Sequence, residues 1–302
     1  TDISVAYIGE ITGLGAAFCW MWTMLLFSLA GERIGSLAVN VIRLSIALPL
    51  LIITTTILFG VNYSELYAGG NVWYLYLSGF IGLALGDAAL FYALVAIGPR
   101  KTSLIFSSVP IATSLIAFFT IGERMSLITW VSIFITVSGI VWVISEKSVE
   151  NKRFPNKALT KGVIAVIIGV IFQAAGLVLS KAGMGGTVDP LPATLVRIFA
   201  GTIGMYLYVI VTRNIGTVLK GFRDMKAIAL TAGGAFFGPF LGIWLSIISV
   251  KYTETGVTAT LSATVPIMIL PFAYFVYKEK LSGRTIIGTL MAVAGIVLLF
   301  NR

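Results

Sequence analysis

The sequence has 302 residues, of which 58% are hydrophobic and only 11% are charged, whereas a soluble chain carries about 25% charged residues. A chain this apolar cannot cover a water-exposed surface with polar groups, which excludes a soluble globular protein and indicates a membrane protein. The net charge of +9 does not indicate nucleic-acid binding, because the basic residues lie in short links between apolar runs, as is typical of cytoplasmic loops.

The apolar runs predict an all-α integral membrane protein with ten transmembrane helices, since a bilayer core about 30 Å thick needs roughly 20 apolar residues per helix. The first five predicted helices are Val5–Ala30, Ala38–Phe59, Val72–Ile97, Thr102–Thr120 and Ser126–Ser145. The second five are Gly162–Ala182, Leu191–Thr212, Ala227–Val250, Gly256–Tyr277 and Ser282–Phe300. Strands are not expected, because the runs lack the period-two alternation of a membrane β-barrel.

The chain consists of two similar halves. We predict one five-helix repeat over residues 1–147, a basic connecting loop over 148–161 and a second repeat over 162–302. A shift of 156 residues aligns Gly82–Ser145 with Gly238–Asn301 without a gap, and sixteen of those 64 positions are identical. The identical positions include Pro110/Pro266, Glu123/Glu279 and Gly139/Gly295.

Five helices per repeat is an odd number, so the second repeat enters the membrane from the opposite face. Transporters with such inverted repeats place their binding site at the interface between the repeats. The repeat therefore predicts a secondary transporter for a small solute. A duplication that built a channel or a scaffold is the alternative.

Several motifs resemble the EamA family of the drug/metabolite transporter superfamily. They include the third predicted helix ending in YAL, the SSVP and TVPIMIL segments, the GER and KEKLS links and the two GIV triplets. Trp20 matches the family's tryptophan in the first helix, and Arg43 and Arg197 match its arginine in the second helix of each repeat. The resemblance implies a ten-helix carrier that works by alternating access on amino acids, amines, nucleotide precursors or other metabolites.

The basic residues predict an orientation in the cell membrane. One face of the predicted topology carries 15 Lys and Arg residues and the other carries Arg124, Lys181, Lys251 and Arg302. The positive-inside rule then places both termini outside the cytoplasm, whereas the resemblance implies the reverse. As partners we expect a small-molecule substrate, the lipid bilayer and, as a candidate assembly, a second copy of the chain, with no nucleic acid.

Asp87 is the strongest candidate for a substrate-binding or coupling residue. It lies near the middle of the third predicted helix, where a charged side chain costs at least about 2.5–3.5 kcal/mol and usually serves an ion, a proton or a substrate. Its equivalent in the second repeat is Ile243, so a carboxylate is not part of the repeated pattern. The alternative is a structural aspartate that pairs with Arg43 or Arg197.

Three further polar residues lie inside predicted helices. Arg43 and Arg197 could extend to the membrane surface, and their recurrence in both repeats favours fold stabilisation. The alternative is that they anchor an anionic group of the substrate. Gln173 is either a packing contact between helices or a hydrogen-bonding residue of the cavity.

Aromatic residues and prolines complete the candidates. Trp20, Tyr92 and Trp244 could line or close a cavity, although packing is the more common role of a membrane aromatic. Pro110 and Pro266 fall inside predicted helices, where proline removes a backbone donor and kinks the helix, so they are candidates for gating.

Glu123 and Glu279 precede the fifth and tenth predicted helices. A carboxylate in that position complements the helix dipole, which predicts a structural role. We expect no metal or cofactor, since the chain has no histidine and only one cysteine, Cys19, which excludes a His/Cys metal centre and a Ser-His-Asp triad.

Two other functions remain as alternatives. The ALGD segment at Ala84–Asp87 is similar to the GxGD motif of intramembrane aspartyl proteases, but it lacks the first glycine, and the chain has no second deep aspartate to share a proton. A channel or a membrane sensor without active coupling is the other alternative. A selectivity filter would need a repeated ring of polar residues, which one copy of the chain does not supply.

Overall fold

The computed structural model describes residues 7–60, 67–145, 156–276 and 282–301. All regular secondary structure in these ranges is helical. The described residues form nine helices that are long and apolar enough to cross a membrane, together with a shorter apolar helical stretch over Thr255–Pro271. The prediction of an all-α membrane protein with ten spanning helices is confirmed.

The helices follow the chain in two sets. In the first half they are α1 (Ile8–Ile34), α2 (Ser36–Phe59), α3 (Val72–Gly79), α4 (Asp87–Phe106), α5 (Val109–Ile121) and α6 (Leu127–Ile144). In the second half they are α7 (Asn156–Met184), α8 (Pro190–Val211), the short α9 (Ile215–Gly221), α10 (Met225–Ala235), α11 (Ile243–Tyr252), α12 (Thr255–Ser262), α13 (Val265–Val276) and α14 (Gly283–Phe300).

Each half contains a π-helical segment that the sequence analysis did not predict. Phe80–Gly86 joins α3 to α4, and Phe236–Gly242 joins α10 to α11. The shift of 156 residues relates the two segments end to end. The first packs against α7 and α8, and the second packs against α1 and α2. Both segments therefore lie where one half contacts the other, and π-helical turns often mark functional sites.

The predicted positions of two prolines within their helices are wrong. The backbone leaves the helical pattern at residues 107–108 and 263–264, and α5 and α13 begin immediately afterwards. Pro110 and Pro266 each occupy the second position of the new helix, where a backbone N–H has no partner in the helix and proline is tolerated. The matched prolines start helices instead of kinking continuous ones.

Several predicted helix ends also differ from the structure. The first helix continues past Ala30 and stops at Gly35, whose φ of 80° suits glycine because it has no Cβ. The backbone of α4 stays helical through residues 98–101, which we predicted as a link. The sixth spanning helix begins at Asn156, inside the predicted connecting loop. A polar stretch shows where a helix leaves the lipid but does not end its hydrogen bonding. Tyr277, the predicted end of the ninth helix, lies outside the described residues.

Polar side chains cap three helices at their first turn. Ser126 and the repeat-matched Ser282 accept hydrogen bonds from the third residue beyond them, each at 3.1 Å. Asp224 accepts from the Ala227 amide at 3.0 Å and pairs with Arg33 at 2.9 Å. The Ala227 hydrogen bond, and then the Arg33 contact, hold the pKa of Asp224 below its usual value. Asp224 thereby links the first turn of α10 to the end of α1.

The repeated GIV glycines lie at the contact between the halves. Gly139 on α6 faces the backbone of α14, and Gly295 on α14 faces the backbone of α6. A Cβ on Gly139 would lie 2.6 Å from the nitrogen of Ala292, and one on Gly295 would lie 2.7 Å from the nitrogen of Thr136. The two helices approach this closely only because both positions lack a side chain.

We expect Gly139→Ala to destabilise the protein by about 1–3 kcal/mol, because the added methyl group overlaps the α14 backbone, which cannot move aside as a flexible side chain can. The measurement is the thermal unfolding midpoint of purified protein in detergent, followed by tryptophan fluorescence. Gly31→Ala is the control, since no atom lies within 4 Å of its added Cβ. Equal midpoints for the two variants would show that the close approach is not needed.

Candidate functional site

Four polar residues from the sequence analysis meet inside the protein. Asp87 begins α4, directly after the first π-helical segment, and Arg43 lies on α2. Gln173 and Arg197 come from α7 and α8 of the other half. Asp87, Arg43 and Arg197 are only 7%, 5% and 4% exposed. We call these four residues the Asp87 cluster.

Asp87 is held by partners from both halves. Its Oδ2 accepts a hydrogen bond from Nη2 of Arg43, with which it forms an ion pair. Its Oδ1 accepts from Nε2 of Gln173 at 2.6 Å, and the same amide nitrogen lies 3.2 Å from the carbonyl oxygen of Gly82. Nε of Arg43 donates to Oδ1 of Asn40 at 2.6 Å. Both oxygens of the carboxylate therefore have partners.

Arg197 reaches the same region from the opposite side. The α8 backbone crosses α3 at Gly79, where an added Cβ would lie 2.8 Å from Cα of Arg197. Nη1 of Arg197 donates to the carbonyl oxygen of Gly176 at 3.3 Å. Its Nε is buried and has no hydrogen-bond partner among the described residues. Because both Arg43 and Arg197 are buried, their side chains do not extend to the membrane surface, which was one of the possibilities that the sequence left open.

The second half builds the equivalent crossing without the carboxylate and the amide, although Arg43 on α2 takes the place of Arg197 there. The place of Asp87 is taken by Ile243, which is buried. An added Cβ on Gly86 would lie 3.6 Å from Gln173, and one on the matched Gly242 would lie 3.4 Å from Trp20. The π-helical crossing therefore forms with apolar residues in the places of Asp87 and Gln173, so the carboxylate and the amide are not a requirement of the fold.

The remaining candidates are not part of this cluster. Trp20 packs between two apolar clusters, and Tyr92 is 49% exposed. Trp244 lines a separate cavity of about 420 Å³ together with Tyr252 and Asp189. The aromatic candidates are thus not gathered around one site.

The structure also contains a polar network that the sequence analysis did not identify. Oε1 of Glu123, in the link before α6, lies 2.5 Å from Nζ of Lys181 at the end of α7. Oε2 of Glu123 accepts from the backbone and hydroxyl of Thr255, at 3.0 and 2.5 Å. Lys181 also donates to the carbonyl oxygen of Thr253 at 2.6 Å. We call these four residues the Glu123 network.

We predicted a structural role for Glu123 at the start of the helix that follows it, but its carboxylate contacts the other half of the chain. It caps α12 of the other half, whereas Ser126 caps α6. The network therefore joins the two halves on the face where α1 begins, beside a cavity of about 340 Å³. The sequence shows Lys181 near the end of its helix, but it does not show that Glu123 of the other half is the partner of this lysine.

Comparison with known proteins places the chain in a family. A family model described as the EamA-like transporter family matches it twice, over residues 7–145 and 160–301. The chain belongs to the EamA-like transporter family. The predicted resemblance is confirmed, and the two EamA-like matches cover nearly all of the chain. The family is one of transporters, which makes this chain a multi-pass membrane protein of transporter type and not a member of an enzyme family.

One curated protein is similar to this chain in sequence, and one solved structure is similar to it in fold. An uncharacterized transporter from Clostridium kluyveri is 27% identical over 144 residues, which are 47% of this chain and 45% of that protein. The EamA-like chain thus matches about half the length of this curated relative. A protein of known crystal structure superposes with a TM-score of 0.74 at 17% identity, over 99% of this chain and 97% of the other. That similarity shows a shared fold.

Proposed function

We propose that this EamA-like protein is a secondary transporter that moves a small metabolite, such as an amino acid or an amine, by alternating access and with coupling to protons. The observation that carries the proposal is the Asp87 cluster. It places a carboxylate, two guanidinium groups and an amide, all from predicted membrane-spanning helices, where the two halves cross. Buried ionisable groups of this kind are rare in membranes and usually belong to a substrate or proton pathway.

The position of the cluster suits alternating access. Carriers with inverted repeats bind their substrate between the repeats and rock one half against the other. Asp87 and Arg43 belong to the first half, and Gln173 and Arg197 belong to the second, so relative motion of the halves changes the partners of Asp87. A carboxylate whose partners change during the cycle can take up a proton on one side and release it on the other.

The Glu123 network supports closure of one face in this conformation. Next to it, α5 packs against the first turn of α12, where the fully buried Ser114 faces Gly256. By the positive-inside rule this face is extracytoplasmic, and both termini lie outside the cell membrane. A C-terminal reporter enzyme that is active only outside the cytoplasm tests this orientation, and inactivity of the reporter would reverse it.

The test of the proposal uses purified protein in liposomes that contain a pH-sensitive dye. We expect saturable, radiolabelled uptake of at least one compound from a panel of amino acids, amines, nucleosides, sugars and phosphorylated metabolites, accompanied by a dye change. Saturable uptake without a dye change would show that the protein is a carrier that is not coupled to protons. Conductance that does not saturate would favour a channel, and no uptake by folded protein would favour a sensor.

A further inference from the structure

Arg197 lacks the partners that its repeat equivalent has. A shift of 154 residues pairs Arg43 with Arg197 and Asn40 with Thr194. Asn40 accepts a hydrogen bond from Nε of Arg43. In the second half Thr194 donates its own hydroxyl to the carbonyl oxygen of Pro190 at 2.7 Å. The counter-ion is missing as well, because Ile243 stands where the first half has the aspartate that pairs with Arg43.

The guanidinium of Arg197 is consequently left with unused donors. It makes one hydrogen bond among the described residues, from Nη1 to Gly176, and its buried Nε makes none. Asp87 attracts Arg197 electrostatically but makes no hydrogen bond with it among the described residues, and its two oxygens accept from Arg43 and Gln173. The cluster holds two guanidinium groups and one carboxylate, so its formal charge is +1. A buried hydrogen-bond donor without an acceptor is unfavourable by about 1–3 kcal/mol.

The free edge of the guanidinium has the geometry of a carboxylate site. Nε and Nη2 form the fork that binds a planar carboxylate through two parallel hydrogen bonds. The neighbouring Gly82 has no side chain, and an added Cβ there would be in ordinary contact with Cα of Gly176 at 3.6 Å, Nη2 of Arg197 at 3.8 Å and Oε1 of Gln173 at 3.9 Å. The side of the fork that faces Gly82 is therefore not covered by a side chain of that residue.

We propose that Arg197 binds the carboxylate group of the transported substrate through Nε and Nη2, beside Gly82. The inference rests on the proposed transport function and narrows its substrate class to carboxylate-bearing metabolites. One carboxylate would bring the formal charge of the cluster to zero, which an amine or a neutral sugar would not do. The amide of Gln173 lies next to the same space and would contact the group attached to the carboxylate.

The first experiment measures ligand binding without transport, as the rise in the thermal unfolding midpoint of purified protein with ligand concentration. The probes are the L-amino acids, their amides, their decarboxylated amines and the corresponding 2-oxo acids. We expect saturable stabilisation by at least one amino acid or 2-oxo acid and none by its amide or amine. Stabilisation by 2-oxo acids alone would identify a simple carboxylate, and stabilisation by amino acids alone would identify a zwitterion. Equal binding of an amide or an amine, or no binding of any carboxylate, would overturn the inference.

Two variants locate the site. Gly82→Ala places a methyl group beside the fork at ordinary contact distances from Arg197 and Gln173, so the fold is preserved while the space is filled. Arg197→Lys keeps the charge and removes the fork. We expect each variant to raise the dissociation constant of the stabilising carboxylate at least about tenfold. Gly82→Ala should unfold at the same temperature as the wild type without ligand, and Gly31→Ala should bind as the wild type does.

The outcomes separate this inference from the transport function. If the protein takes up an amine or a sugar saturably, and Gly82→Ala and Arg197→Lys do not change that uptake, the transport function is supported and the proposed role of Arg197 is contradicted. The protein could instead bind carboxylates selectively, with weaker binding in both variants, and show no saturable uptake. That result would support the binding site and contradict the transport function. Unchanged carboxylate affinity in Gly82→Ala and Arg197→Lys would remove the site.

Discussion

Asp87→Asn is expected to abolish proton-coupled uptake and to lower the stability of the folded protein. The substitution removes the only carboxylate of the Asp87 cluster and leaves the guanidinium of Arg43 buried without its counter-ion. Breaking a buried ion pair by removing one partner costs about 3–5 kcal/mol. A loss of uptake in this variant alone would therefore not distinguish a transport role from damage to the fold.

The double variant Asp87→Asn with Arg43→Gln separates the two causes. It removes one negative and one positive charge, so the cluster keeps its formal charge and no arginine at position 43 is left without its counter-ion. We expect the unfolding midpoint to recover towards the wild-type value, because replacing both members of a buried pair is often neutral. Uptake should stay at least about tenfold below wild type if Asp87 carries the proton.

The measurements are dye-reported proton movement and radiolabelled uptake in liposomes, together with the unfolding midpoint in detergent. Recovery of both stability and coupled uptake in the double variant would show that Asp87 is a structural partner of Arg43. A stable Asp87→Asn single variant with wild-type uptake would remove any role for the ion pair. Arg33→Gln is a matched control for loss of an arginine that pairs with an aspartate, since its pair with Asp224 is exposed and surface pairs contribute little.

Lys181→Leu is expected to open the face where α1 begins. Lys181 is the only residue of the Glu123 network that brings a positive charge, and it contacts both Glu123 of the first half and Thr253 of the second. The first half has no similar cation at the equivalent position on the opposite face. Its segment SLAG at Ser28–Gly31 corresponds to SKAG at Ser180–Gly183, so Leu29 stands in the place of Lys181. Loss of the lysine should therefore shift the protein away from closure of this face.

The shift can be measured at Ser114, which is fully buried against α12 in this conformation. Ser114→Cys is introduced with Cys19→Ser, so that a water-soluble maleimide has one target. Hydrogen bonds to charged groups contribute about 1.5–3 kcal/mol, so Lys181→Leu should raise the labelling rate about tenfold or more. The Ser114→Cys, Cys19→Ser protein that retains Lys181 should label slowly.

Lys251→Leu is the matched control for Lys181→Leu. Lys251 lies on the same face, but its contacts with Asp189 and the carbonyl oxygen of Val188 stay within the second half. We expect its removal to leave the labelling rate of Cys at position 114 unchanged. Equal rates for both lysine variants would show that surface charge, and not a link between the halves, controls access to this face.

Hydropathy and internal repetition determined the architecture of this protein from sequence alone. Apolar runs of spanning length predicted ten helices because a membrane segment must satisfy its backbone hydrogen bonds internally. The ungapped repeat predicted the matched glycines Gly139 and Gly295, and family motifs predicted the EamA-like class. These features are local or periodic, so the linear order of residues is enough to show them.

Helix ends were less accurate, since composition marks the lipid boundary and not the last hydrogen bond. The helix that we expected to end at Ala30 instead stops at Gly35, where the backbone requires a positive φ. The π-helical segments were missed because their glycine pairs also suit an ordinary helix. A π-turn depends on what packs against it, and the partners of each segment come from the other half.

Only the tertiary structure decided which polar residues act together. The sequence left open whether Asp87 pairs with Arg43 or with Arg197, and it treated Gln173 as a separate candidate. The fold pairs Asp87 with Arg43 and Gln173. Within the described part of the chain it leaves Nε of Arg197 without a hydrogen-bond partner, and it places Trp244 at a different cavity. The physical reason is that contacts between distant helices depend on how the halves cross. Glycines such as Gly79 and Gly176 set that crossing through close backbone contact, which no single helix reveals.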